Sequence, residues 1–382
     1  MAATPVGGFA RESFEAARAA FEANFDSGED LGAAFCATVN GETVVDLWGG
    51  WADEARSRPW QADTIVGVYS TTKTIAALVA LMLADRGLID LAAPVAAYWP
   101  EFAAEGKARI TVAQVLSHSS GMSGWREKVA PGELYDWDLM TGRLAAQAPL
   151  WEPGTASGYH ACTYGFLIGE VVRRVTGKSL GSVFREEIAG PLEADFWIGM
   201  PASEDEYVAA LIERPLLVSD RAAAFQPTEA QALTLMNMGF LVSDSASRAW
   251  RSAEIPAVNG FGNARAVAEI HAILANGGVA KGKRFMSEAG ARRVLEKQIE
   301  GPDLIMGMPA RFGMGFGLAG AMLPLQTPSP NTAFWGGAGG SVILIDYDAR
   351  TTLAYTPNKM GWSTIGDGRA YRIIEAMWAA LK

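Results

Sequence analysis

The spacing of apolar residues changes several times along the chain, and each change predicts an element. Phe14, Ala17, Phe21 and Phe25 recur at three- and four-residue intervals, one stripe of a helix over 11–25. Two short β-rich runs follow, 35–39 and 43–48. Asn40-Gly41 between them is the dipeptide of a type I′ hairpin turn, and Trp48-Gly49-Gly50-Trp51 closes the second strand. Over 71–87 the pattern is helical and apolar on more than one side, with Gly87 where a left-handed glycine would end it. From 88 to about 260, helical stretches (111–118, 164–176, 179–188) alternate with Gly and Pro breaks. Residues 201–256 are weakly periodic and rich in Pro, Met and aromatics. They read as a loop-rich cap or as surface connections with a few packing helices. Strand runs return at 311–318, 334–338, 342–347 and 351–356, the last two a hairpin across 346–350, before a closing helix over 371–381. The expected fold is α/β plus all-α. An antiparallel sheet flanked by helices is built from both termini (1–66 and 261–382), and a mostly helical domain (67–260) is inserted, with the site in the cleft between.

Composition narrows what such a fold does. The chain has 382 residues, 49% of them hydrophobic and 19% charged, enough for a packed core and too apolar for a disordered protein. Its net charge is -10 with no basic cluster, so no nucleic-acid partner is expected. No apolar run approaches the ~20 residues needed to span a bilayer, and the first 25 residues lack an apolar signal core, so a cytoplasmic protein without a membrane partner is expected. Cys36 and Cys162 lie far apart, and His118, His160 and His271 fit no ligand spacing. Neither a disulfide framework, a metal nor another cofactor is expected.

The chemistry is concentrated in Tyr69-Ser70-Thr71-Thr72-Lys73-Thr74. Ser70 stands just before the apolar helix and Lys73 three residues on, about one turn, so hydroxyl and amine share a face. A serine hydroxyl attacks only when something takes its proton, and a lysine does so only when burial or a nearby cation lowers its pKa. The bland alternative is a capping serine and a solvated lysine. Two further segments add to the pair. Tyr159-His160-Ala161 follows the Pro153-Gly154 turn and precedes a helix, so Tyr159 is a candidate second base if the Lys73 charge lowers its pKa. Trp335-Gly336-Gly337-Ala338-Gly339-Gly340 reads as a strand edge that a ligand approaches closely.

These three segments, in this order, resemble the serine β-lactamase and penicillin-binding-protein superfamily, and most closely its class C β-lactamase-like family VIII carboxylesterases. Val115-Leu116-Ser117-His118-Ser119-Ser120-Gly121-Met122, Thr176-Gly177-Lys178-Ser179-Leu180 and Asn259-Gly260-Phe261-Gly262-Asn263-Ala264-Arg265 carry the likeness along most of the chain. The resemblance implies an acyl-enzyme on Ser70, Lys73 and Tyr159 moving its proton, and an oxyanion hole of the Ser70 and Ala338 backbone N–H groups. Trp335 would take the place of the cation in the K-T-G or H-T-G motif. It would form a pocket wall, with Gly336, Gly337 and His160 also against the substrate.

Two departures bear on the substrate. Tyr-x-Asn reads Tyr159-His160-Ala161, so the amide that meets a β-lactam side chain is missing, and Trp335 removes the partner of a substrate carboxylate. A neutral ester needs neither. The expected activity is therefore hydrolysis of a small-molecule, short-chain carboxylic ester. A β-lactamase, a D-amino-acid peptidase or an acyltransferase on the same scaffold is the alternative, and a non-enzymatic scaffold the remotest. Gly177-Lys178-Ser179-Leu180-Gly181 also fits the G-x-S-x-G nucleophile elbow. A helical pattern precedes it where a strand is required, so Ser179 is expected to be a helix cap. His118 is expected to bond nearby backbone, and His271 to be an ordinary helix residue.

Overall fold

The computed structural model describes residues 4–213, 226–320 and 322–381. Its largest element is an antiparallel sheet of nine strands: β1 (Val6–Ala10), β2 (Gly32–Val39), β3 (Glu42–Gly50), β4 (Ile299–Pro302), β5 (Pro309–Phe312), β6 (Gly317–Leu318), β7 (Thr332–Gly336), β8 (Val342–Asp346) and β9 (Thr351–Pro357), in the order β1-β3-β2-β9-β8-β7-β6-β5-β4. The first and last parts of the chain meet where β9 pairs with β2, Ala354 opposite Cys36.

Both predicted hairpins form as read. Asn40 and Gly41 take φ of 52° and 81°, the left-handed pair that a two-residue turn between Val39 and Glu42 needs. Asp346 stands opposite Thr351 across the second turn. β1 was not anticipated, and neither was β4.

Helices cover both faces of the sheet. On one, α1 (Glu15–Asp26) packs with the last helix, and Phe21, Phe25, Ile373, Ile374 and Met377 share a buried cluster with Phe35, Leu47 and Leu344 of the strands. The predicted first helix opens as a 3₁₀ turn over Glu12–Phe14 before the α-helix begins. Helix α2 (Thr72–Asp85) is apolar all round and correspondingly buried from Thr72 to Leu83. It ends in a Schellman motif: Leu88 N–H bonds the Leu83 carbonyl, Gly87 N–H bonds that of Ala84, and Gly87 sits at φ 74°. α3 (Thr163–Thr176) crosses beside α2. α4 (Ala264–Ala275) lies on the sheet face opposite α1, and α5 (Gly368–Ala380) closes the chain. The stretch 201–256 holds short helical turns (Ala202–Tyr207, Val242–Ala246, Arg248–Ser252) joined by loops; residues 214–225 of the expected cap lie outside the described residues.

Candidate active site

Ser70 sits in a 3₁₀ turn, Tyr69–Thr71, that runs into α2. Tyr69 adopts φ 43°, the left-handed region that a bulky side chain rarely enters and that costs of order 1–3 kcal/mol. Small hydroxyls tie this bend down. Thr72 Oγ1 accepts from Gly260 N–H at 2.9 Å, Thr71 Oγ1 meets Ser341 Oγ at 3.0 Å, and Ser341 Oγ donates to the Val68 carbonyl at 2.8 Å. None of these threonines was singled out from the sequence.

Lys73 is fully buried, and no carboxylate pairs with it among the described residues. Its Nζ lies 2.7 Å from the Ala161 carbonyl, 3.0 Å from that of Ala257 and 3.0 Å from Ser70 Oγ. Burial pulls its pKa down to about 7. The partners decide which way its hydrogen bonds run. Carbonyls only accept, so they take both N–H groups of the neutral amine, and the lone pair is left facing the Ser70 hydroxyl.

Tyr159 O–H makes a short hydrogen bond to Ser70 Oγ. Its own backbone N–H donates to Asp303 Oδ1 at 3.1 Å, and Asp303 holds the loop beyond through Ile305 and Met306 N–H on the same oxygen. The condition set for Tyr159 as a second base, a phenol lowered by the Lys73 charge, is not met. Burial pushes Tyr159 up from the usual phenol range, and Lys73, itself weakened as a cation, does not offset it. Near pH 7 the phenol keeps its proton, and it is the neutral form of the Lys73 amine that can accept one.

The glycine segment approaches as expected. A Cβ on Gly337 would run into the Val68 carbonyl and would stand 3.0 Å from Ser70 N, so only glycine lets the end of β7 lie against the serine. Gly337 N–H is spent on the Ser341 carbonyl at 2.9 Å, whereas Ala338 N–H has no partner among the described residues. Gly336 is equally confined: a Cβ there would meet Thr364 O at 2.7 Å.

Two residues expected against the substrate lie deep. Trp335 is only 3% exposed, and its ring packs 5.7 Å from Tyr159, 5.7 Å from His118 and 5.6 Å from Phe312, so it backs the phenol and does not form an open wall. His160 is fully buried. Its Nδ1 donates to the Gly158 carbonyl at 2.6 Å, which leaves Nε2 to accept from Ser120 Oγ at 2.7 Å, and both ring nitrogens are thereby occupied away from Ser70. Burial drives its pKa down to about 3, so it stays neutral. His118 does bond backbone, accepting from His160 N–H on Nδ1 at 3.1 Å. His271 lies within α4, its Nδ1 donating to the Val267 carbonyl. Ser179 caps the helix Leu180–Phe184 and accepts from Ser182 N–H, and Gly177 ends α3 at φ 71°, so the elbow-like sequence is two helix ends.

A strained turn presenting a serine, a buried amine within hydrogen-bond reach of that serine, a phenol beside both and an unspent N–H opposite form a constellation suited to acyl transfer. The chain as a whole is similar to known proteins. Along 98% of the chain, and 100% of the other, it is similar to a crystal structure of a family VIII carboxylesterase, with 44% identity and a TM-score of 0.93. A penicillin-binding protein homolog from Caulobacter crescentus matches over 99% of this chain and 100% of its own, at 38% identity and a TM-score of 0.92. The esterase/beta-lactamase LipL of Mycobacterium tuberculosis is 35% identical over 93% of this chain and 83% of its own length. The family model described as Beta-lactamase matches residues 18–377, and the chain belongs to that family.

Proposed function

We propose that the protein is a cytoplasmic carboxylesterase that hydrolyses small, uncharged, short-chain esters through an acyl-enzyme on Ser70. The observation that carries this reading is the buried Lys73 amine with two carbonyls on its N–H groups and its third direction on Ser70 Oγ. Lys73 takes the Ser70 proton as Oγ attacks the ester carbonyl. The oxyanion settles between the N–H groups of Ser70 and Ala338. When the tetrahedral adduct collapses, Tyr159 O–H gives its proton to the departing alkoxide, and the Lys73 ammonium makes it good. Water then attacks the acyl carbonyl, with the amine and phenol again moving the proton, and Ser70 is released.

The substrate class follows from what the pocket lacks. A buried indole occupies the position where the K-T-G or H-T-G motif of the superfamily has a cation, and Ala161 has no side-chain amide, so neither feature favours a carboxylate-bearing β-lactam. The relatives whose names include esterase support the same class. The test is direct: kcat/KM on p-nitrophenyl butyrate against nitrocefin, with mass spectrometry of the acylated peptide. Ester turnover should dominate and the adduct should map to Ser70. Faster nitrocefin turnover would turn the assignment to a β-lactamase, and an adduct elsewhere, or activity surviving in Ser70→Ala, would end it.

A further inference from the structure

The direction of the Ala338 N–H is set by a turn made largely of glycine. Gly340 N–H bonds the Gly337 carbonyl at 3.1 Å, and Gly339 and Gly340 take φ of 93° and 111°. Such residues give the backbone freedom where an oxyanion donor needs fixed aim. The turn is held from outside, at Gly339. Its N–H donates to the Ser363 carbonyl at 3.2 Å, and its carbonyl accepts from Gly361 N–H at 2.8 Å and from Arg369 Nη2 at 3.0 Å.

Arg369, in the first turn of α5, is 6% exposed, and all five of its N–H groups are placed. Nε and Nη2 grip the two oxygens of Asp367 at 3.0 and 2.7 Å, and Nη1 reaches Asp30 at 2.9 Å and the Lys359 carbonyl at 2.7 Å. Asp30 is itself fixed by Tyr355 O–H. Four donors lock the guanidinium and the fifth is delivered to the Gly339 carbonyl. A buried ion cluster is weak evidence for stability, because well-packed apolar groups often do as well. What apolar groups cannot supply is a rigid donor aimed at one carbonyl.

We propose that Arg369 is a positioning residue of the oxyanion hole: clamped by Asp367 and Asp30, it fixes the Gly339 carbonyl and thereby the aim of the Ala338 N–H two peptide units upstream. The inference rests on the reading that Ser70 is acylated with its carbonyl in that hole. The test is the carbonyl stretch of a slowly deacylating, ¹³C-labelled cinnamoyl group on Ser70, read by infrared difference spectroscopy together with kcat, KM and melting temperature. The wild type should show the band below that of the free ester in water. In Arg369→Lys, which keeps the charge and loses the fork, the band should rise and broaden. There kcat should fall by about 10- to 100-fold, less than the loss of a whole oxyanion donor, with KM little changed. If Arg369→Lys does not accumulate folded, Asp367→Asn loosens the same guanidinium and is read the same way. A lowered melting temperature with an unmoved band and unchanged kcat would make Arg369 merely structural and overturn the proposal. A wild-type band no lower than the free ester would instead overturn the hole itself.

Discussion

Lys73 and Lys107 are both fully buried, and neither has a salt bridge among the described residues, yet only one stands in a reactive place. Lys107 Nζ donates to the carbonyls of Ala104 at 2.7 Å, Ala145 at 3.1 Å and Gln147. Three acceptors suit an ammonium with three N–H groups, and a neutral amine there would turn its lone pair on a carbonyl oxygen. Lys73 has two carbonyls and a hydroxyl, and a hydroxyl can donate. Burial lowers the pKa of both, Lys73 to about 7. The chemistry of the third partner, and not burial alone, determines which amine is placed to take a proton.

The largest expected effect follows from that difference. Lys73→Ala should cut the acylation rate by about 10²–10⁴, the range for a positioned proton carrier, measured as the rate of labelling by a fluorophosphonate or the burst with a p-nitrophenyl ester. A rate near that of the wild type would mean that the hydroxyl loses its proton elsewhere. Tyr159→Phe comes next and depends on the leaving group. With an alkyl ester, whose alkoxide must be protonated, the loss should be about 10²-fold; with p-nitrophenyl butyrate, whose phenolate leaves unaided, it should be about tenfold smaller. Equal losses on the two esters would make Tyr159 a base and not the acid.

The pH profile sharpens the comparison further. The titratable groups around Lys73 are Tyr159 and Cys162, pushed up by burial, and His118 and His160, pushed down, so all are neutral near pH 7. The Lys73 amine is left to dominate. Below about pH 7, kcat/KM for a neutral ester should fall about tenfold per unit and above it level off, with the midpoint belonging to the Lys73–Tyr159–Ser70 cluster as a whole. Stability carries the same sign. Lys73 has a folded pKa below its ordinary value of 10.5, so the unfolded chain binds the extra proton between about 7 and 10.5. This group's contribution therefore rises with pH across that window, and its penalty is full below it. Denaturant melts at pH 6 and 9 should show the slope, and it should shrink in Lys73→Met.

How far the sequence foretold this depended on whether a feature is local. Ser70 and Lys73 are one helical turn apart, Asn40-Gly41 is a turn in itself, and Gly87 and Ser179 are helix ends, so all were legible from neighbours alone. The carbonyls of Ala161 and Ala257 were not, because they lie 88 and 184 residues from Lys73 and a backbone oxygen carries no residue-type signal. β1 escaped notice because Gly7-Gly8 has little strand preference of its own; pairing with β3, Gly7 opposite Trp48, makes it a strand. The direction of the His160 ring was not legible, because adjacency to Tyr159 says nothing of it and Ser120 and Gly158 decide it. Trp335 stood at the right place in the chain. Its neighbours His118 and Phe312 draw the indole into the aromatic packing behind Tyr159.

The smallest expected effect on turnover is the control that the two lysines require. Lys107→Met removes a buried amine of similar length but strands the Ala145 and Gln147 carbonyls without that donor, which should lower stability by about 1–3 kcal/mol in a denaturant melt. Turnover per active site, counted by burst titration, should stay within about twofold of the wild type, as for a substitution that touches no reacting group. Among the described residues Lys107 Nζ bonds only carbonyls and no hydroxyl, so losing it should leave the acyl-transfer steps intact. A drop in turnover comparable to that of Lys73→Ala would mean that burial of an amine matters through the fold. The distinction drawn from the third partner would then fail.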